Sequence, residues 1–183
     1  MKKNRIIMLA IFAFATFFLP RSLKAQEKIF TESKEAKAAF IKTDESMKSL
    51  FINSYGYVIF PNVGKGALLV GGAGGNGAVY EKGKRIGTAK MVQISVGAQV
   101  GGQAYREVIF FEDKDALRRF KENKVEFSGQ VSAVAVKAGA SATAKYREGV
   151  KVFTQEKSGL MLEASIGGQK FTYKASDKEM AMK

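Results

Sequence analysis

The 19 glycines of this 183-residue chain divide it in two: none precedes Gly56, and from there on they recur through apolar runs. Between Thr31 and Asn53 the sequence TESKEAKAAFIKTDESMKSLFIN also lacks Pro, so no breaker interrupts a helix there. At about 100° per residue, Ala36, Ala39, Phe40, Met47, Leu50 and Phe51 fall within a sector of about 120°, the width of a buried stripe. Lys34, Lys37 and Lys48 gather beside the stripe with Ile41 among them, and Asp44 and Glu45 border the same flank. Two uses fit such a helix. It packs its stripe on a core with the lysines in solvent, or it lies on an anionic membrane with the apolar face down.

Beyond Asn53 the pattern changes to strand and turn. Tyr55–Pro61 (YGYVIFP) is rich in aromatic and β-branched residues, and Pro61 closes it because proline cannot donate to a ladder. Further strands are predicted at Ala67–Val70, Gly77–Glu81, Lys90–Val100, Ala104–Phe111, Val150–Thr154, Leu160–Ile166 and Lys170–Lys174, with small and apolar residues alternating from Val125 to Ala138. Glu81-Lys82-Gly83-Lys84 reads as a turn. Asp113–Asn123 (DKDALRRFKEN) interrupts the strands as a short helix, with Asp113 as its cap and Ala116, Leu117 and Phe120 on one face. Glycine within strands points to bulges, sharp coiling or close approach of another backbone. Gly-Gly-Gln recurs before an aromatic residue in SVGAQVGGQAY (95–105) and ASIGGQKF (164–171), as equivalent positions in two halves of a curved sheet would do. The fold class expected is therefore α+β: a strongly curved, barrel-like, mainly antiparallel sheet, a long N-terminal amphipathic helix, and a short helix near 113–122.

The first 25 residues read as an address. Lys2, Lys3 and Arg5 precede an apolar run from Ile6 to Leu19, Pro20 ends it, and Ala25 offers a small residue for cleavage, the three-part layout of a signal peptide. The run is too short for a membrane anchor, since 14 helical residues span roughly 21 Å against a hydrocarbon core of about 30 Å. The expected mature protein is exported, periplasmic or secreted, and soluble or peripheral to a membrane. It consists of one domain, residues 26–174, followed by a polar tail, residues 175–183. The formal charge is +13, and removing residues 1–25 leaves 25 basic against 17 acidic side chains, a net of +8. Such an excess favours anionic partners. Export makes nucleic acid the least suitable of them.

Composition narrows the chemistry. With no His and no Cys, zinc sites built on those ligands, disulfides, thiolate nucleophiles and Ser-His triads are excluded. No cofactor or metal is expected, and no constellation of Lys, Tyr or carboxylates suggests an enzyme. Gly72, Gly74 and Gly77 satisfy GxGxxG, but the following AVYEKGKRIG reads as strand and turn, where a dinucleotide site needs a helix.

The segments GYVIFPNVGKG (56–66), GGAGGNGAVYEKGKRIGTAKMVQISVGAQVGGQAYREVIFFED (71–113), FSGQVSAVAVKAGASATAKY (127–146) and GVKVFTQEKSGLMLEASIGGQKF (149–171) together resemble the SYLF domain family, also called the Las17-binding or Ysc-type actin regulator family. The resemblance covers roughly residues 30–174 and implies a single lipid-binding domain. Eukaryotic relatives bind phosphoinositides, some through a basic amphipathic N-terminal helix, and some fungal members bind actin filaments. Carried over by position, Lys34, Lys37 and Lys48 on the helix become the candidates for phosphate contact, and Ile41 among them is the apolar side chain expected to insert. Lys65, in VGKG, joins them beside a Gly-rich turn whose backbone N–H groups suit phosphate. The function expected is non-enzymatic, peripheral binding of anionic phospholipid in the cell envelope. The alternative is a structural or protein-interaction module whose glycine-rich sheet edges pair with an envelope protein.

Overall fold

A computed structural model describes residues 24–64, 72–94, 104–124, 133–157 and 168–176. The apolar run 6–19, the strands expected at Ala67–Val70 and Leu160–Ile166, Lys65, and most of the polar tail lie outside the described residues. The N-terminal helix is there, but in two pieces: α1, residues 24–43, and α2, Met47–Asn53. The sequence predicts one helix through this point. It breaks at Asp44, whose carboxylate accepts hydrogen bonds from the Ser46 amide at 3.1 Å and the Ser46 hydroxyl at 2.5 Å. A side chain that bonds its own backbone two residues on competes with the helical ladder.

Seven strands follow: β1 Gly56–Val63, β2 Gly72–Glu81, β3 Lys84–Ile94, β4 Tyr105–Phe111, β5 Ala133–Ala135, β6 Val150–Glu156 and β7 Gln169–Ala175. Two short helices interrupt them, α3 Lys114–Lys121 after β4 and α4 Ala140–Thr143 after β5. The strands form one sheet in the order β5-β6-β4-β1-β2-β3-β7, antiparallel except for β5 with β6. β2 begins at Gly72 and β3 at Lys84, each several residues before the expected start. The hairpin between them turns on Lys82 (φ 48°) and Gly83 (φ 74°), the two left-handed positions that a two-residue hairpin loop needs.

Curvature is strong. Tyr105 on β4 donates to Gln93 Oε1 on β3 at 3.0 Å, and Gln169 Nε2 on β7 donates to Glu107 Oε2 on β4 at 2.9 Å, although β1, β2 and β3 separate β4 from β7 in the sheet. Among the described residues the curl stops short of a barrel: β5 and β7 are edges and do not pair with each other. Glycine permits the coiling. A Cβ on Gly77 would lie 2.6 Å from the Ile59 carbonyl oxygen and 2.7 Å from the Phe60 ring, so β1 and β2 approach there as only glycine allows. Gly72, Gly74 and Gly77 thus lie within a strand, not at the start of a helix.

Each face of the sheet carries a core. On the concave side, Val58, Phe60, Val79, Met91, Ile109, Phe111, Val152 and Phe171 pack with Leu117 and Phe120 of α3. Asp113 starts α3 as expected, its carboxylate accepting from the Ala116 amide at 2.8 Å, and Phe120 then sits between the rings of Phe111 and Phe171. On the convex side, Ala36 and Phe40 of α1 and Met47 and Phe51 of α2 pack on Tyr57, Ile59, Val108, Phe110 and Phe153. Those strand residues belong to β1, β4 and β6, so the helices cover one half of the convex face.

Candidate functional site

The residues the sequence nominates on the helices do not form one site. Lys34 and Lys48 are exposed. Lys37 is half-buried: its Nζ lies 4.7 Å from the centroid of Phe51 and 5.2 Å from that of Tyr57, and donates to the Tyr57 hydroxyl at 3.3 Å. Burial pushes its pKa down from the ordinary lysine value. Lys37 therefore serves the packing of α1 on the sheet, as a cation over two aromatic faces. Ile41 is half-buried against the convex core. The apolar stripe is occupied by the sheet, so α1 and α2 do not have an apolar face to lay on a membrane. What they leave outward is Ile52, 69% exposed and one turn beyond Lys48. Their exposed lysines alternate with Glu27, Glu35 and Glu45, and Lys28 lies 3.8 Å from Glu32.

Asp44 explains how this region is held. It is buried, and besides Ser46 it accepts from the backbone of Ser141 at 2.7 Å and of Gly139 at 3.3 Å, joining α4 to the break between α1 and α2. Burial alone raises its pKa, but the hydrogen bonds from Ser46 and Ser141 outweigh that and bring it down to about 2.

A second group of lysines is brought together by the sheet. Along β3, Ala89, Met91 and Gln93 point inward, and Thr88, Lys90 and Val92 alternate with them on the convex side. Along β7, Gln169 and Phe171 point inward, and Lys170, Thr172 and Lys174 alternate with them. Register sets Lys90 opposite Thr172, Val92 opposite Lys170 and Thr88 opposite Lys174. Lys170 and Lys174 are therefore the diagonal neighbours of Lys90, about 7–8 Å away along the sheet. All three lysines are exposed, and neither strand contains an Asp or Glu. α1 and α2 pack mainly on β1, β4 and β6, and α1 reaches β3 at Arg85, which lies under the Phe30 ring and pairs with Glu27; among the described residues neither helix contacts Lys90, Lys170 or Lys174.

Sequence reasoning missed this cluster because Lys90 and Lys170 are 80 positions apart and only the β3–β7 pairing joins them. The available signal was the acid-free alternation in TAKMVQ and KFTYK. Lys on an edge strand guards against unwanted strand pairing, and that accounts for β7. It does not account for Lys90, since β3 is paired on both sides.

The adjacent carboxylates Glu112 and Asp113 have structural surroundings: Asp113 caps α3 and Glu112 is exposed. Among the described residues no group of His, Cys, Asp or Glu is placed to hold a metal ion, and no helix is long and apolar enough to cross a membrane.

Two comparisons bear on this arrangement. The family profile described as Las17-binding protein actin regulator matches residues 92–181, a span that contains α3, β4 to β7 and two of the three strand lysines. The chain is also 33% identical over 153 residues to Beta cell expansion factor A of Aeromonas veronii. That alignment takes in 83% of this chain but 59% of the relative, so the chain spans less than two thirds of the relative's length.

Proposed function

Since the chain belongs to the Las17-binding protein actin regulator family, which is the SYLF family its motifs resemble, we propose that it is a non-enzymatic lipid-binding protein of the cell envelope. In this reading residues 1–25 direct export, and the domain then rests peripherally on anionic phospholipid. The observation that carries the proposal is the uncovered, acid-free face of Lys90, Lys170 and Lys174. Strands hold these lysines on a rigid surface, so little backbone order is lost on contact. Each lysine near an anionic surface contributes about 1 kcal/mol, giving roughly 3 kcal/mol for the face, and salt weakens it. Lys34, and Lys48 with Ile52 one turn away, add a second and weaker contact on the helices.

Flotation with liposomes tests the reading. Recovery is expected on vesicles containing anionic phospholipid at low salt, with none on purely zwitterionic vesicles and a steep loss at high salt. Equal recovery on both kinds of vesicle contradicts the electrostatic mechanism. Sequencing the N-terminus of protein from cell fractions tests export, which predicts a mature chain starting near Gln26.

A second reading has its own support, because the family description names a protein partner. The same lysine face suits an acidic protein surface. Pairing through the β7 edge is less suited, since that strand carries the lysines. No vesicle recovery, together with a single dominant crosslink in cell envelopes that charge reversal of the face abolishes, favours the protein partner.

A further inference from the structure

The curl of the sheet decides which way its surfaces point. Inward side chains of β4 meet those of β3 and β7 across the interior: Gln169 Nε2 donates to Glu107 Oε2 at 2.9 Å, and the Tyr105 hydroxyl donates to Gln93 Oε1 at 3.0 Å. The Phe120 ring of α3 fills the same interior between Phe111 of β4 and Phe171 of β7, its centroid 5.0 and 5.3 Å from theirs. Successive side chains of a strand point to opposite faces. When the inward residues of two strands meet, their outward residues point away from each other. Phe110 is outward on β4 and carries α2 through the Phe51 ring at 4.8 Å, whereas Lys170 and Lys174 are outward on β7. α2 and the lysine face therefore lie on opposite sides of the molecule.

The α2 side has features of its own. Among the described residues Ile52 is a large apolar side chain left in solvent, 69% exposed, and Lys48 is exposed one turn before it. The hydroxyls of Ser54 and Tyr146 lie 2.9 Å apart, which brings the exposed Lys145 and Arg147 to the end of the helix. Glu45, Glu112 and Glu148 are exposed on this side as well, so its net charge is smaller than that of the strand face. Ile52 makes up for this as an apolar anchor. An isolated apolar side chain flanked by Lys and Arg suits the headgroup boundary of an anionic bilayer.

Because the two contacts face opposite ways, one flat bilayer does not take both. We propose that the protein bridges two anionic phospholipid surfaces, an inference that rests on the peripheral lipid binding proposed for the lysine face. Lys90, Lys170 and Lys174 hold one surface, and the α2 side with Ile52, Lys48, Lys145 and Arg147 holds the other. The second contact is weak for a single chain. A vesicle coated through the lysine face presents many copies of it at once, and these act together on a second vesicle.

The test mixes sucrose-loaded vesicles containing anionic phospholipid with unloaded, dye-labelled vesicles of the same composition and measures the dye that pellets with the heavy ones. At low salt the protein should raise the pelleted dye roughly tenfold or more, and high salt should reverse this. Ile52→Ser/Lys48→Glu should reduce co-pelleting far more than it reduces flotation on single vesicles. If that variant does not fold, co-pelleting by the unaltered protein and its monomeric state in lipid-free sedimentation velocity decide by themselves. Flotation without co-pelleting at any protein-to-lipid ratio would overturn the bridge and leave lipid binding standing, whereas absence of flotation would overturn both. Co-pelleting undiminished in the folded α2 variant, or a lipid-free dimer, would also overturn it by placing the link in self-association.

Discussion

The two halves of the convex face both carry cationic side chains and use them differently. Over β1, β4 and β6 the helices bring Lys37 down onto Phe51 and Tyr57 and set their outer lysines among glutamates. Over β3 and β7 α1 reaches the sheet at Arg85, which lies 3.8 Å from the Phe30 ring and 3.0 Å from Glu27, while Lys90, Lys170 and Lys174 face solvent without an acid on either strand. The covered half spends its charges on holding a helix in place. The bare half has no such duty, and the proposed contact with anionic phospholipid falls there.

Mutations should separate the two halves. The largest effect on folding is expected in the covered half: Phe40→Ala empties a fully buried ring site and should cost about 3–5 kcal/mol in urea unfolding. Acid should strike the same half next. With its folded pKa held down to about 2, Asp44 contributes stability that is complete above the ordinary aspartate value and lost as pH falls from about 4 to about 2. The loss should be about 2 kcal/mol, and Asp44→Asn should remove this part of the pH dependence when unfolding is followed at pH 5 and pH 2. Lys37→Glu should cost about 1–2 kcal/mol while leaving vesicle recovery of the folded fraction unchanged, because its ammonium belongs to the helix packing. The smallest change in stability, within about 0.5 kcal/mol, is expected for Lys90→Thr in the bare half. A loss comparable to that of Lys37→Glu would mean that Lys90 is structural and would erase the contrast.

What could be read from the sequence follows the range of the interactions involved. Asp113 and the apolar spacing of Ala116, Leu117 and Phe120 act within one turn, and the short helix was legible from them. The apolar stripe of the N-terminal segment gave its buried face but not its length, because the break at Asp44 depends partly on local bonds to Ser46 and partly on amides of Gly139 and Ser141, far along the chain. Asp-Glu-Ser was the local signal for that turn. Among the nominated contacts, Lys34 and Lys48 are on the surface, whereas Lys37 and Ile41 are drawn into packing that only the sheet makes visible. The lysine face and the Gln169–Glu107 hydrogen bond across the curl both arise from strand register and curvature, which alternation alone does not specify. The glycines announced the coiling without saying which strands it would bring together.

The proposed meeting of the β3–β7 half with an anionic surface can be broken by titrating anionic vesicles with Lys90→Glu/Lys170→Glu/Lys174→Glu beside Lys34→Glu/Lys48→Glu. The strand variant should lose affinity by at least 100-fold, matching about 3 kcal/mol of lost attraction, and the helix variant by much less. Undiminished binding by the strand variant, with binding lost in the helix variant, would overturn the proposal.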